Sequence, residues 1–285
     1  MEDSSIPPTV PLKVMSFNVA HGLGMDNKVD LEKTARVIEQ AQPDIVGLQE
    51  VDRCFTARSS FCDQVSWFEK RLGMNAAFGP NLDLDPLDPA MPRRQYGNAI
   101  LSKYPIQHTE NHLMVNIDGP GAAGEQRGML EAVIQVKGAI VHFFCTHLSL
   151  EEEELQVNVQ QILEISEKSR FPQILAGDFN AVPENRHIQR LSSRFHDVFS
   201  DLGKGDVCTY PTPVQTASEK EDVKPMTRID YVFANQEVQA ERASVIKTDA
   251  SDHLPIVAEL VLKKTADNKG QSFKTEFGVV PTAVT

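Results

Sequence analysis

Ile174-Leu175-Ala176-Gly177-Asp178-Phe179-Asn180 is an apolar run that stops at a glycine and then sets a carboxylate and a carboxamide two positions apart. In an extended strand, side chains at i and i+2 leave the same face. Asp178 and Asn180 are then expected to project together from a strand end, with Phe179 turned into the core. Oxygen ligands and amide donors placed in this way suit a hard cation or a phosphate. A strand running into a turn accounts for the same residues, because Asp and Asn are common turn formers. The stretch alone leaves both readings open.

The rest of the chain repeats the pattern. Leu12 to Phe17 alternates as a strand does and ends at Asn18. Asp30 to Gln40 has helical spacing, with Asp30 as N-cap. Ile45 to Leu48 is a short buried strand ending in Gln49-Glu50. Asp63 to Leu72 is a second helix, stopped by Gly73. Residues 80–95 have loop composition, and Asn98 to Ser102 is a strand. A Gly-rich loop covers Pro120 to Gly128. Leu130–Val136 and Ile140–Thr146 form a hairpin whose second strand ends at His147. Ser149 and Glu152 read as a capping box opening a helix with Leu155, Val159, Ile162 and Leu163 on its apolar face. Asn185 to Leu191 is a short helix, and residues 211–227 are polar loop. Ile229–Ala234, Ser244–Lys247 and Leu254–Leu262 are strands, the first carrying Asp230 and the last preceded by Asp252-His253. Six strand ends carry Asn, Glu, Asp or His: Asn18, Glu50, His147, Asp178 with Asn180, Asp230, and Asp252 with His253. That predicts one site assembled from several loops.

Bulk properties narrow the class. The 285 residues, 41% hydrophobic and 24% charged, suit a soluble α/β domain, and no apolar run is long enough to span a bilayer. Interspersed strands and helices without repeat or linker predict one α/β domain over residues 11–263, with sheets in the interior and helices outside. Residues 1–10 are expected to be a flexible N-terminus and 264–285 a polar tail. The acidic start has no basic n-region followed by an apolar stretch, so it does not read as a secretory signal, and a cytoplasmic monomer without a stable protein partner is expected. Cys54, Cys62, Cys145 and Cys208 lack C-x-x-C spacing, which argues against structural zinc. Cys145 reads as a small core residue. A reduced chain is expected, although Cys54 and Cys62 would be able to bridge in an oxidising compartment. The net charge of −12 weighs against a long polyanionic duplex held through its phosphates, while leaving room for a local basic groove.

Val14-Met15-Ser16-Phe17-Asn18, Gly47-Leu48-Gln49-Glu50, Gly97-Asn98-Ala99-Ile100-Leu101-Ser102, Thr146-His147-Leu148, Gly177-Asp178-Phe179-Asn180, Arg228-Ile229-Asp230-Tyr231 and Ser251-Asp252-His253 resemble, in this order, the motif series of the endonuclease/exonuclease/phosphatase superfamily. The resemblance covers about residues 12–262. It implies a single-domain four-layer α/β sandwich, two mixed β-sheets packed face to face with helices outside, and Mg²⁺-dependent hydrolysis of phosphoesters, with Mn²⁺ as a substitute. The group includes deoxyribonucleases, apurinic-site endonucleases, neutral sphingomyelinases, inositol-polyphosphate phosphatases and deadenylases.

The resemblance implies a role for each matching residue. Glu50 is a Mg²⁺ ligand, with Asn18, Asp252 and Asp178 on the metal side. Asp178 and Asn180 also face the attacking water and the phosphate. Asp230 orients His253, whose imidazole suits proton transfer near neutral pH. Whether Asp178 or His253 deprotonates the water is left open. His147 faces a phosphate oxygen and stabilises developing charge. Arg127 sits where relatives place a basic residue near the phosphate, and Tyr96 and Asn98 are expected at the substrate. His21 and the basic pair Arg93-Arg94 are further candidates, each with a plain loop reading. Thr227, preceded by Met226, stands where apurinic-site enzymes carry tryptophan, which weakens a base-excision role. The expected activity is a phosphodiesterase on a lipid headgroup, nucleic acid or small molecule. The alternatives are a dedicated nuclease and a non-catalytic phospholigand binder.

Overall fold

The computed structural model describes residues 9–117, 125–213 and 227–263. Its strands, in chain order, are β1 (Thr9–Asn18), β2 (Ile45–Arg53), β3 (Asn75–Leu84), β4 (Arg94–Ser102), β5 (Ile106–Leu113) and β6 (Gly128–Val136). There follow β7 (Ala139–His147), β8 (Gln173–Asp178), β9 (His196–Asp197), β10 (Asp230–Ala234), β11 (Val238–Val245) and β12 (Ile256–Lys263). They form two six-stranded mixed sheets, ordered β11-β12-β1-β2-β4-β3 and β5-β6-β7-β8-β10-β9. Apolar side chains from both sheets, among them Val14, Ile45, Ile100, Phe143 and Ile174, meet in one shared cluster. The outer face of the first sheet packs against α1 (Leu31–Ala41) and α2 (Gln64–Leu72), and that of the second against α3 (Glu152–Ser166) and α4 (Arg186–Arg190). This is the expected four-layer sandwich.

Strand direction explains why polar strand ends converge. β1 and β2 run parallel, as do β7 and β8, while β12 and β10 run antiparallel to β1 and β8. The last residues of the parallel strands and the first residues of the antiparallel ones therefore share one edge. There His147 pairs with Asp178, and Asp178 with Asp230. The two sheets approach closely beneath that edge. A Cβ on Gly47 would lie 3.0 Å from Cys145 Sγ and 3.3 Å from the Phe143 ring. Cys145 is buried as expected, and its sulfur accepts from Gln49 Nε2 at 3.1 Å.

Local capping follows the sequence at α1 and α2. Asp30 Oδ1 accepts from Lys33 N, Asp63 Oδ1 accepts from Ser66 N, and Gly73 closes α2 at φ 63°. The Ser149–Glu152 capping box does not form. The helix begins only at Glu152, so Ser149 lies outside the cap position and its Oγ instead accepts from Glu151 N at 3.1 Å. β3 and β5 were not expected. Both are edge strands. β3 carries Gly79 and Pro80, which an edge with a register shift tolerates, and β5 is largely polar and exposed. The loop expected over 80–95 shrinks accordingly, and the strand expected over Ser244–Lys247 lies earlier, at Val238–Val245. Thr9 and Val10, expected in the flexible start, belong to β1. Residues 1–8 and 264–285, with 118–124 of the Gly-rich loop and 214–226 of the polar loop, lie outside the described residues. No helix among the described residues is long and apolar enough to cross a membrane.

Phe179 is buried as expected, its ring edge-on to Tyr231 (5.2 Å) and Phe233 (5.3 Å). Its truncation to alanine is expected to destabilise the fold by about 3–5 kcal/mol, the range for a lost core phenylalanine. Urea denaturation measures this, and a loss under about 1 kcal/mol would contradict the assigned packing.

Candidate active site

Asp178 and Asn180 do project together, but strand alternation is not the cause. β8 ends at Asp178. Asn180 adopts a left-handed backbone (φ 50°), and its N–H donates to Asp178 Oδ1 at 2.9 Å. An Asx-type turn thus brings the carboxamide back beside the carboxylate. Asn180 Nδ2 donates to Leu148 O and to His147 Nε2, both at 3.0 Å. That bonding leaves His147 Nε2 as an acceptor, so its proton is assigned to Nδ1. Burial, with the positive charges of Arg127 and His253, pushes the His147 imidazole well below its usual pKa. It is neutral near pH 7 and holds Asn180 in place, rather than acting as a fixed cation.

Asn18 closes β1 and is fully buried. Its Nδ2 donates to Glu50 Oε1 and Asp178 Oδ2, each at 3.0 Å, and its Oδ1 accepts from Ala20 N at 3.1 Å. Glu50 is not at a strand end, as the sequence suggested, but inside β2. Leu48 pairs with Ala99 and Val51 with Gly97, so Gln49 and Glu50 together oppose Asn98 in a β-bulge. Val46, Leu48 and Val51 all pack on the α1–α2 side. Regular alternation would send Glu50 there with Val46 and Leu48. The extra residue, with Glu50 at φ 60°, turns it out and lets Val51 take that place.

The loop before β12 delivers Asp252 and His253. Ser251 Oγ donates to Asn18 O at 2.7 Å, which ties this loop to the end of β1. His253 Nδ1 lies 3.2 and 3.1 Å from the two Asp230 oxygens, and Nε2 lies 3.5 Å from Asp178 Oδ2. Burial alone would lower the His253 pKa, but Asp230, Asp178 and Asp252 outweigh it and hold the imidazole protonated. Burial and the Asp230 charge push Asp178 upward, above the usual carboxylate range. Two residues missed in the sequence belong here. Thr209 Oγ1 accepts from the N–H groups of Ile229 (3.2 Å) and Asp230 (3.3 Å), and the Tyr210 ring lies 4.6 Å from that of His253. They adjoin a polar loop, and no local pattern marks them.

The remaining candidates divide. Arg127 is buried, donates to Glu125 Oε1 at 2.7 Å and acts electrostatically on His147. Tyr96 is buried, its ring 5.6 Å from that of Phe55. Asn98 is fully buried and donates to Gly128 O at 2.9 Å, a bond between the two sheets. Arg93 donates to Asp83 (2.6 Å) and Asp85 (2.8 Å), and Arg94 to Asp85 O, so the basic pair is engaged within its own loop. His21 is half-buried, its pKa lowered by burial and Arg58 against the pull of Asp52, Glu50 and Asp252.

The charge balance bears on metal binding. Glu50, Asp178, Asp230 and Asp252 converge, and His253 is their cationic neighbour. Among the described residues Glu50 and Asp252 form no ion pair. Such a donor set, all oxygen with excess negative charge, fits a hard divalent cation. A second group able to offer ligands, Glu110, His112 and Glu131, lies on β5 and β6. Glu131 there accepts from His112 Nε2 (2.9 Å) and His142 Nδ1 (2.7 Å), a structural network on the outer face of the second sheet.

Two stability measurements probe these features. Glu50→Gly and Glu50→Ala both delete the carboxylate, but only glycine accepts φ 60° freely. The glycine variant is expected to be more stable by about 1 kcal/mol in chemical denaturation, and equal midpoints would contradict the strain. Burial tends to raise the Glu131 pKa, but its bonds to His112 and His142 prevail and bring it down to about 2 from 4.5. A depressed carboxyl stabilises the fold fully above its unfolded pKa and loses that stabilisation as pH falls toward the folded value. Glu131→Gln should therefore flatten the fall of stability between about pH 5 and pH 2, and an unaltered acid limb would argue against the network.

Comparison with known proteins agrees with the geometry. The chain is 27% identical over 271 residues to the uncharacterized protein YbhP of Escherichia coli K12, across 88% of this chain and 96% of that protein. An endonuclease/exonuclease/phosphatase structure from Beutenbergia cavernae superposes with a TM-score of 0.73 at 25% identity, covering 89% of this chain and 72% of that one. The Bacteroides thetaiotaomicron mannosyl-6-phosphatase Bt3783 shares the fold, with a TM-score of 0.67 at 19% identity over 87% of this chain and 99% of that one. Residues 15–253 match the Endonuclease/Exonuclease/phosphatase family as a whole, and the chain belongs to that family.

Proposed function

We propose that the chain is a phosphodiesterase that works with a bound divalent cation, Mg²⁺ or in its place Mn²⁺. Members of its family are generally phosphoester hydrolases and typically depend on a divalent metal. The observation that carries the reading is the arrangement around His253: Nδ1 is held by Asp230, and Nε2 faces Asp178 Oδ2 at 3.5 Å. This is an oriented proton-transfer group beside a second one, at an edge that also gathers amide donors.

Glu50 and Asp252 would hold the cation, and Asn18 would keep Glu50 in place through its Nδ2. When bound, the cation neutralises phosphate oxygens and eases departure of the leaving oxygen. Every other task falls to side chains of the chain. Asp178 Oδ2 takes the proton from the attacking water, and the protonated His253, with Nε2 3.5 Å from that carboxylate, steadies its charge and supplies a proton to the leaving oxygen. Asp230 fixes the imidazole and stabilises its charge. Asn180, its two Nδ2 hydrogens held by His147 and Leu148 O, offers its Oδ1 as an acceptor to the attacking water, and Arg127 supplies positive charge to the phosphate on the same side. Closed packing beneath the edge, with Phe179 and Tyr231 buried, keeps these groups from relaxing away from one another.

Turnover of bis(p-nitrophenyl) phosphate with Mg²⁺ or Mn²⁺, abolished by EDTA, is the expected result. His253→Ala should lower kcat by about 10²–10⁴-fold, the range for a lost acid–base group. Near-wild-type kcat in that variant would falsify the assignment of His253, and metal-independent turnover would remove the role of the cation.

A further inference from the structure

Arg58 takes no part in the chemistry above, yet it is built into the cleft. Its Nε donates to Asp52 Oδ2 at 3.0 Å and its Nη2 to Asp52 Oδ1 at 2.6 Å. Ser59 Oγ donates to the same Oδ2 at 2.6 Å. The Asp52 side chain is 0% exposed, so a carboxylate has been withdrawn from water to fix this one cation. The guanidinium also lies over two aromatic rings, 5.0 Å from the centre of Phe55 and 5.2 Å from that of Tyr96. A cation serving only solubility would need none of these contacts.

The orientation is as telling as the anchoring. Among the described residues, Arg58 Nη1 donates to no acceptor, and 38% of the side chain remains exposed. Arg58 acts electrostatically on His21, and Glu50 and Tyr96 act on Arg58. Its anchor Asp52 follows Glu50 by two residues on β2 and pairs with Tyr96 of β4, which sets Arg58 on the Glu50 side of the cleft, whereas Arg127 precedes Gly128, the partner of His147, and is engaged with Glu125. A planar fork with a locked back and a free edge recognises oxyanions, phosphate above all, by paired N–H donors.

We propose that Arg58, backed by Phe55 and Tyr96, binds a second phosphate group of the substrate, beside the one that is cleaved. The inference rests on the phosphodiesterase reading and narrows it to diesters that carry a further phosphate. A 5′-phosphorylated oligonucleotide and a phosphorylated inositol headgroup both supply that chemistry.

The test compares kcat and KM within two substrate pairs, using the full chain with Mn²⁺. One pair is thymidylyl-thymidine with and without a 5′-phosphate. The other is glycerophosphoinositol with and without a 4-phosphate. Bis(p-nitrophenyl) phosphate reports the hydrolytic step by itself. The wild type is expected to favour the doubly phosphorylated member of at least one pair by about 10–100-fold in kcat/KM, chiefly through KM, as a charge-assisted bond would give. The favoured pair identifies the source of the phosphate. Arg58→Gln should reduce the preference to within about 2-fold, and Arg58→Lys should keep part of it as a point charge. The preference is a ratio within one variant, so a fraction of misfolded protein cancels. A wild type without preference in either pair overturns the proposal, as does an Arg58→Gln or Arg58→Lys variant that keeps all of it. Failure to hydrolyse the chromogenic diester or any of the others defeats the underlying reading instead, and the subsite falls with it.

Discussion

One carboxamide holds the two halves of this site together. Asn18 sits at the end of β1 in the first sheet and spends both Nδ2 hydrogens on carboxylates, one on Glu50 of its own sheet and one on Asp178 of the other. Its oxygen is taken by Ala20 N, so the amide cannot rotate without losing bonds at both ends. Two like-charged groups are thereby brought to one buried polar atom, an arrangement that costs electrostatic energy and persists only because donors offset it. The bonds require the sheets to meet at a fixed spacing. Gly47 permits that spacing against Cys145 and Phe143, and Ser251 repeats the tie by bonding the Asn18 carbonyl from the His253 loop.

Around this tie, the backbone departs from regular structure where side chains must be re-aimed. Ala20, His21, Glu50 and Asn180 all have positive φ. Left-handed backbone costs a non-glycine residue about 1–2 kcal/mol, less for asparagine, whose side chain bonds locally. The surroundings that hold these conformations are rigid: the shared core between the sheets on one side, and the Phe179–Tyr231–Phe233 rings on the other. Strain at the rim and dense packing below are two sides of one design, because only a stiff base keeps strained residues from relaxing.

The sequence was legible where a residue's neighbours along the chain control its state. Asp30 as an N-cap, Gly73 as a helix stop, Phe179 and Cys145 as core, and Asp178 beside Asn180 all follow from local rules. It was silent where an interaction from elsewhere decides. Asn98, a substrate candidate, donates to Gly128 O of the opposite sheet. Arg93, a candidate with a plain loop reading, is paired across its hairpin. Glu50 looked like a strand end and lies on a bulge that only the pairing with β4 reveals. Edge strands β3 and β5 were invisible because the first carries Gly79 and Pro80 and the second is largely polar, sequences tolerated where one side of the strand is unpaired.

The order of the motifs determined by itself which residues meet at the site and which family and sandwich fold they belong to. This works because most of the motifs end or begin a strand, and alternation of strand and crossover fixes which ends share an edge. The states and partners of those residues were decided by tertiary structure alone. His147 is neutral because it is buried beside Arg127 and His253, and His253 is charged because Asp230 and Asp178 surround it. Arg58 became visible only through the buried Asp52 and the two aromatic rings that lock it. Burial and the sum of neighbouring charges are properties of the folded arrangement, and no local stretch of chain encodes them.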